Sequence, residues 1–242
     1  MERKGSLKEK IIIALDVNTK REAMALVGRL TEARIFKVGM ELFTAEGPSL
    51  LEEMSKQGKG TFLDLKYHDI PNTVARAVRS AARHGVSMIT LHASGGREML
   101  ARAAEAIRQE SAERGIARPA LLGVTVLTSL RDAELREIGC SVPVADQVLR
   151  LAALARAAGL DGVVCSPHEI EIIKKELGKD FLVVTPGIRP AWAAAQDQKR
   201  VTTPAEAVRK GADFLVIGRP ITAAPSPQEA FLRVVEELEE AD

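Results

Sequence analysis

Two carboxylates and one ammonium fall within six residues in the run Asp64-Leu65-Lys66-Tyr67-His68-Asp69-Ile70-Pro71-Asn72-Thr73. On an extended strand, residues two apart share a face, so Asp64 and Lys66 point the same way. Asp69 follows just past the strand end. Withdrawing such charges from water is costly unless they satisfy one another. Any one of the three reads equally well as part of a solvated turn with a weak surface ion pair. The set reads as a built array. Three roles are open to Lys66: Schiff-base nucleophile, proton donor, or ion-pair partner. A Schiff-base lysine must be a free amine, which desolvation or a nearby cation promotes. Two flanking carboxylates favour the ammonium instead. If Asp16 and Lys37 also converge there, Asp16 offsets the effect of Lys37. Lys66 then reads as a better proton donor than nucleophile.

Such an array needs a frame. Short apolar runs, the pattern of buried parallel strands, occur at residues 11–16, 35–39, 61–66, 87–92, 120–127, 162–165, 181–185 and 213–218. Amphipathic segments lie between them. Val74, Val78, Ala81 and Ala82 share one helical face. So do Met99, Ala103, Ala106 and Ile107, and again Val144, Val148, Leu151, Ala152 and Ala155. Strands alternating with helices over 242 residues predict a single-domain (β/α)₈ barrel spanning 11–242. A doubly wound open sheet is the alternative, weakened because no G-x-G-x-x-G follows the first strand. Residues 1–10 are polar and are expected to be loosely held.

In a barrel of this kind the active site forms where the strands' C-terminal ends meet. Those ends carry Asp16, Lys37, Asp64 and Lys66, then His92, Thr125 and Thr128. After strands seven and eight come Pro186-Gly187-Ile188-Arg189 and Gly218-Arg219. Loops at these last two positions commonly hold phosphate in this fold. Glycine lets the backbone approach closely, and arginine offers a planar fork for phosphate oxygens. Arg189 and Gln198 could reach in from the long stretch 187–201. That stretch reads either as a lid or as a rim segment on which Trp192, the sole tryptophan, packs permanently.

Composition narrows the partners. The sequence is 46% hydrophobic with a net charge of +1, so no polyanion or nucleic-acid partner is indicated. No apolar run approaches membrane-spanning length, and the N-terminus lacks a signal-peptide pattern. Cys140 and Cys165 are too few for a disulfide framework, which fits a cytoplasmic protein. His68, His84, His92 and His168 show no metal-site spacing. A metal ion is an open alternative at Asp64 and Asp69, where Lys66 between them already supplies positive charge.

The decamer from Asp64 to Thr73 resembles the signature of bacterial orotidine 5′-phosphate decarboxylases. Further blocks resemble that family in order: Ala14-Leu15-Asp16, Phe36-Lys37-Val38-Gly39, His92-Ala93-Ser94-Gly95-Gly96, Val124-Thr125-Val126-Leu127-Thr128-Ser129, Pro186-Gly187-Ile188-Arg189, Asp197-Gln198-Lys199-Arg200 and Ile217-Gly218-Arg219-Pro220. The resemblance implies cofactor-free conversion of orotidine 5′-monophosphate to uridine 5′-monophosphate, the last step of pyrimidine nucleotide synthesis. It implies Lys66 as proton donor to C6 and Asp64 beside the departing carboxyl group. Asp16 and Lys37 would contact the ribose, and Thr128 the pyrimidine. Arg189, Gln198, Gly218 and Arg219 would grip the phosphate. Asp69 and Thr73, with Ile70 in the same substrate-contacting run, would enter the neighbouring subunit's site, implying a homodimer. Magnesium-dependent phosphosugar enzymes share an Asp-x-Lys-x-x-Asp run but lack the Ile-Pro-Asn-Thr that follows here. A non-catalytic nucleotide sensor is the remaining alternative.

Overall fold

The computed structural model describes residues 6–196 and 202–240. Eight parallel strands close into a barrel in sequence order: β1 (Ile11–Ala14), β2 (Ile35–Gly39), β3 (Gly60–Tyr67), β4 (Met88–His92), β5 (Ala120–Val124), β6 (Gly162–Val164), β7 (Leu182–Thr185) and β8 (Phe214–Ile217). Closure is made by β1 against β8, with Ile12 opposite Val216.

Apolar runs are required because each strand is buried on both faces. On β1, Ile12 and Ala14 point inward and join Phe62, Met88, Leu122, Val184 and Val216 inside the barrel. Ile11 and Ile13 point outward into the larger core beneath the helices. Burying each of these aliphatic side chains contributes about 1.5–3 kcal/mol.

The helices are α1 (Lys20–Arg29), α2 (Met40–Glu46), α3 (Ser49–Lys56), α4 (Pro71–Arg83), α5 (Gly96–Arg114), α6 (Asp132–Glu137), α7 (Val144–Ala157), α8 (Ile170–Leu177), α9 (Pro204–Arg209), α10 (Arg219–Thr222) and α11 (Pro227–Glu239). Thr19 and Glu22 form a capping box that starts α1, and Thr203 and Glu206 do the same for α9. The expected faces of α4 and α5 are buried. On α7, Val148, Leu151, Ala152 and Ala155 are buried, while Val144 at the first turn is only half-buried.

The simple alternation of one helix per strand is modified. The connections after β2, β5 and β8 each carry two α-helices. Between α2 and α3 the chain breaks at Gly47, whose φ of 66° suits glycine, followed by Pro48. Strand β5 ends at Val124 rather than at 127. Its neighbour β6 offers ladder partners only opposite Leu122 to Val124. Beyond that point Thr125 turns its hydroxyl back onto the Val164 carbonyl at 3.1 Å. Residues 7–10 form a 3₁₀ turn whose Leu7 packs on the core, whereas residues 1–5 lie outside the described residues.

Helices α4 and α5 are joined by a buried charge. Glu110 of α5 accepts a hydrogen bond from Arg83 Nε of α4 at 2.6 Å and is also paired with Arg114. These arginines hold its carboxyl at about 2, against an ordinary value of 4.5. A depressed folded-state value means the pairing stabilises the fold fully above the ordinary value and is lost as pH falls through about 2. Glu110→Gln should therefore lower the urea midpoint near neutral pH. The gap from wild type should close on acidification between these two values. A constant gap across the titration would show that Glu110 acts through packing alone.

Candidate active site

Strand ends on the first three strands bring the sequence-predicted charges together. Asp16 leaves β1 and accepts a hydrogen bond from Lys37 Nζ of β2 at 3.2 Å. Lys37 Nζ lies 4.0 Å from Asp64 Oδ2 of β3. The same carboxylate oxygen receives Lys66 Nζ at 2.9 Å. The result is a chain of alternating charge, Asp16–Lys37–Asp64–Lys66. Asp16 is exposed, and the side chains of the other three are largely shielded from water.

Period-two spacing alone does not explain how Lys66 reaches Asp64. Leu63 pairs with Ile89 and Tyr67 with Leu91, so the register between β3 and β4 shifts. Three residues of β3, Asp64 to Lys66, lie opposite the single residue Thr90. This is a bulge, a device that re-aims side chains. Lys66 has φ of 52°, the one non-glycine positive φ among the described residues. Such a conformation costs on the order of 1–3 kcal/mol. The sequence therefore placed Asp64 and Lys66 on one side correctly, by a route that regular strand geometry does not contain.

Thr90 is the residue that strand-end reading missed. It is fully buried. Its Oγ1 accepts from the Lys66 backbone N–H at 2.9 Å and donates to Asp64 Oδ1 at 3.0 Å. The available signal was alternation along β4: His92 at the mouth places Thr90 and Met88 on the same inward face. His92 stacks near His68, with ring centroids 5.4 Å apart. Burial, the His68 ring and the Lys66 ammonium, in that order, push the His92 pKa down against the opposing pull of Asp64.

Lys37, Asp64 and Lys66 line a cavity of about 210 Å³. Phe62, Val124, Val164 and Val216 supply apolar walls, with Thr128 and Pro186 at its edge. Cys165 also borders it, and burial pushes its thiol pKa up, so it acts as a small apolar residue. A second cavity of about 700 Å³ shares Val126 and Thr128 and extends toward Arg131, Ser166 and His168. Thr128 stands where the two meet.

The remaining predicted residues are placed unequally. Asp69 is exposed, and its Oδ1 accepts from the Ile70 N–H at 2.6 Å. It forms no ion pair with Lys66, so among the described residues Lys66 has one partner carboxylate, Asp64. Ile70 is 67% exposed, and Thr73 is exposed in the first turn of α4. Gly187 follows β7 with φ of 78°. Arg189 is half-buried, and its N–H donates to the Thr202 carbonyl at 3.2 Å. Gly218 follows β8 beside Asp16: a side chain there would come within 3.4 Å of Asp16 Oδ2. Arg219 is exposed at the start of α10. Gln198 lies outside the described residues. Trp192 lies under Arg233 of α11, with the guanidinium 4.5 Å from the ring centroid, and the Ala191 N–H donates to Glu237. The rim-packed reading of Trp192 describes this placement.

The alternating charge array lies at the C-terminal mouth of a closed barrel, over an apolar floor, where active sites of this fold class form. A sequence profile of the Orotidine 5'-phosphate decarboxylase / HUMPS family matches residues 9–234. The chain is 53% identical over 230 residues to the orotidine 5'-phosphate decarboxylase of Geotalea daltonii, covering 95% of each chain. It is 50% identical over 235 residues to that of Heliobacterium modesticaldum, covering 96% of this chain and 97% of the relative. The crystal structure of orotidine 5'-phosphate decarboxylase from Lactobacillus acidophilus superposes with a TM-score of 0.86 at 39% identity, covering 95% of this chain and 99% of that one. The chain belongs to the orotidine 5'-phosphate decarboxylase / HUMPS family.

The positive φ of Lys66 has a measurable consequence. Within a strand, glycine is ordinarily less stable than alanine. At position 66 the order should reverse, because glycine alone enters the left-handed region without penalty. Lys66→Gly should melt at a higher temperature than Lys66→Ala. The opposite order would show that the bulge relaxes once the lysine is gone.

Proposed function

We propose that this chain decarboxylates orotidine 5′-monophosphate to uridine 5′-monophosphate, with Lys66 as proton donor to C6. The observation that carries the reading is the Lys66 ammonium held 2.9 Å from Asp64 above an apolar cavity. In the reaction the C6–carboxylate bond breaks and CO₂ departs. The electron pair stays on C6, and a proton from Lys66 Nζ quenches it. Solvent then reprotonates the amine. The developing negative charge needs a fixed positive group in a poorly hydrated site, where such a group is most effective. Asp64 pairs with Lys66 and, in this reading, lies beside the departing carboxylate.

The remaining assignments follow the strand ends. Asp16 and Lys37 contact the ribose, and Thr128 the pyrimidine. Arg189, Gln198, Gly218 and Arg219 hold the phosphate. Binding energy from that remote group can fix the ring against the charge array. In this reading the reaction requires no cofactor, because Lys66 supplies the charge. The protein acts in the cytoplasm, without nucleic-acid or membrane partners. Among the described residues no helix is long and apolar enough to cross a membrane.

Magnesium-dependent phosphosugar enzymes that share an Asp-x-Lys-x-x-Asp run are the nearest alternative, and the two readings separate cleanly. Both oxygens of Asp64 are bonded, one to Lys66 and one to Thr90, the arrangement of a charge array rather than of an open cation cage. The absorbance of orotidine 5′-monophosphate should decay at the same rate with and without a chelator. Lys66→Ala should lose several orders of magnitude in kcat, while binding of uridine 5′-monophosphate falls far less. Near-normal turnover in Lys66→Ala would remove Lys66 from the chemistry.

Asp69, Ile70 and Thr73 support a two-fold dimer with shared sites. They sit exposed at the edge of the mouth, and Asp69 makes no ion pair with Lys66 of its own chain. Lys66→Ala and Asp69→Ala should each be inactive alone. Mixed and allowed to exchange at random, they should recover about a quarter of wild-type activity, because half the dimers are mixed and each holds one intact site. No recovery despite exchange confirmed by mass would place Asp69 in its own subunit's site.

A further inference from the structure

We propose that Thr90 is a positioning residue for the reaction, setting the aim of both Lys66 and Asp64 through one hydroxyl. The inference rests on Lys66 being the proton donor. The bulge in β3 takes the Lys66 backbone N–H out of the regular ladder with β4. A buried N–H without a partner is rare and costly. Thr90 Oγ1 accepts that N–H at 2.9 Å in place of a ladder carbonyl. The hydroxyl proton is then free to point away from Lys66, and it is given to Asp64 Oδ1 at 3.0 Å. One hydroxyl has one proton to donate and lone pairs to accept with, so both bonds are compatible.

The consequence reaches the ammonium from two sides. Lys66 is held at its backbone, in a left-handed conformation that lysine does not favour. It is also held at Nζ by Asp64, whose other oxygen Thr90 fixes. Thr90 therefore closes a small ring through Asp64 and Lys66. It is fully buried within the barrel wall and does not line the cavity, so it has no route to the substrate. Valine has the same shape without the hydroxyl, and serine keeps the hydroxyl with less bulk.

The test compares wild type with Thr90→Val, Thr90→Ala and Thr90→Ser. Three readouts are taken: kcat on orotidine 5′-monophosphate, affinity for uridine 5′-monophosphate, and amide hydrogen exchange across residues 63–68. For Thr90→Val and Thr90→Ala, kcat should fall about 10- to 100-fold, the scale of one lost hydrogen bond to a charged group. Nucleotide affinity should change far less, and exchange across 63–68 should quicken. Thr90→Ser should restore most of kcat. The alanine variant serves if the valine methyl crowds Asp64 and prevents folding. Unchanged kcat and exchange in the variant that folds would overturn the proposal. So would a loss of nucleotide affinity as large as the loss of kcat, which marks a general structural role. Absence of turnover by the wild type would instead sink the decarboxylase reading. The exchange data would still decide whether Thr90 holds the Lys66 amide.

Discussion

Asp64 is a carboxylate withdrawn from water, and the barrel mouth is organised around how it is satisfied. Three groups converge on it: Lys66 at 2.9 Å, Thr90 at 3.0 Å and Lys37 at 4.0 Å. Without them the carboxylate would carry an uncompensated desolvation cost. With them it becomes the fixed point that orients two ammoniums. Lys37 is steadied further by Asp16 on the outer side. Electrostatic catalysis depends on this kind of prior ordering, because groups already in place need not reorganise as charge develops.

The strain at Lys66 belongs to the same arrangement. A lysine at φ of 52° persists only where its surroundings hold it. Here the surroundings are a barrel wall packed on both sides, with Phe62 and Met88 inside and Ile89 and Leu91 outside. The ladder on either side of the bulge is regular. A local distortion is thus clamped by rigid neighbours, and it turns a strand residue into a donor aimed at the cavity.

Closure of the barrel does a second task. Pairing of β8 with β1 brings Gly218 beside Asp16, residues more than two hundred positions apart in the chain. The glycine-arginine turns thereby adjoin the charge array, so one ligand can meet both. Its anionic end would lie at β7 and β8 and its reacting end at β3. Thr128, where two cavities meet, stands across from the charges. Under the proposed function, a remote phosphate would anchor a ring over Lys66.

Much of this was legible in the residues alone. Eight apolar runs separated by amphipathic segments leave few architectures other than a closed barrel, since each run must be covered on both faces. Asp16, Lys37, Asp64 and Lys66 were identifiable because charge at the end of a buried run has no packing explanation. The helix faces of α4 and α5 followed from period alone. Other features depend on groups distant in sequence. The end of β5 was set by the short ladder of β6, not by its own apolar residues, which continue to Leu127. The break into α2 and α3 came from a glycine-proline pair inside an otherwise helical stretch. Trp192 found its place on α11 through Arg233, some forty residues later. The bulge at Asp64 to Lys66, and Thr90 within it, required the register between two strands. Residue type and local period determine which faces are buried and which groups are chemically able. Which donor meets which acceptor is decided only by tertiary pairing, because hydrogen bonds depend on distance and direction that spacing in sequence does not carry.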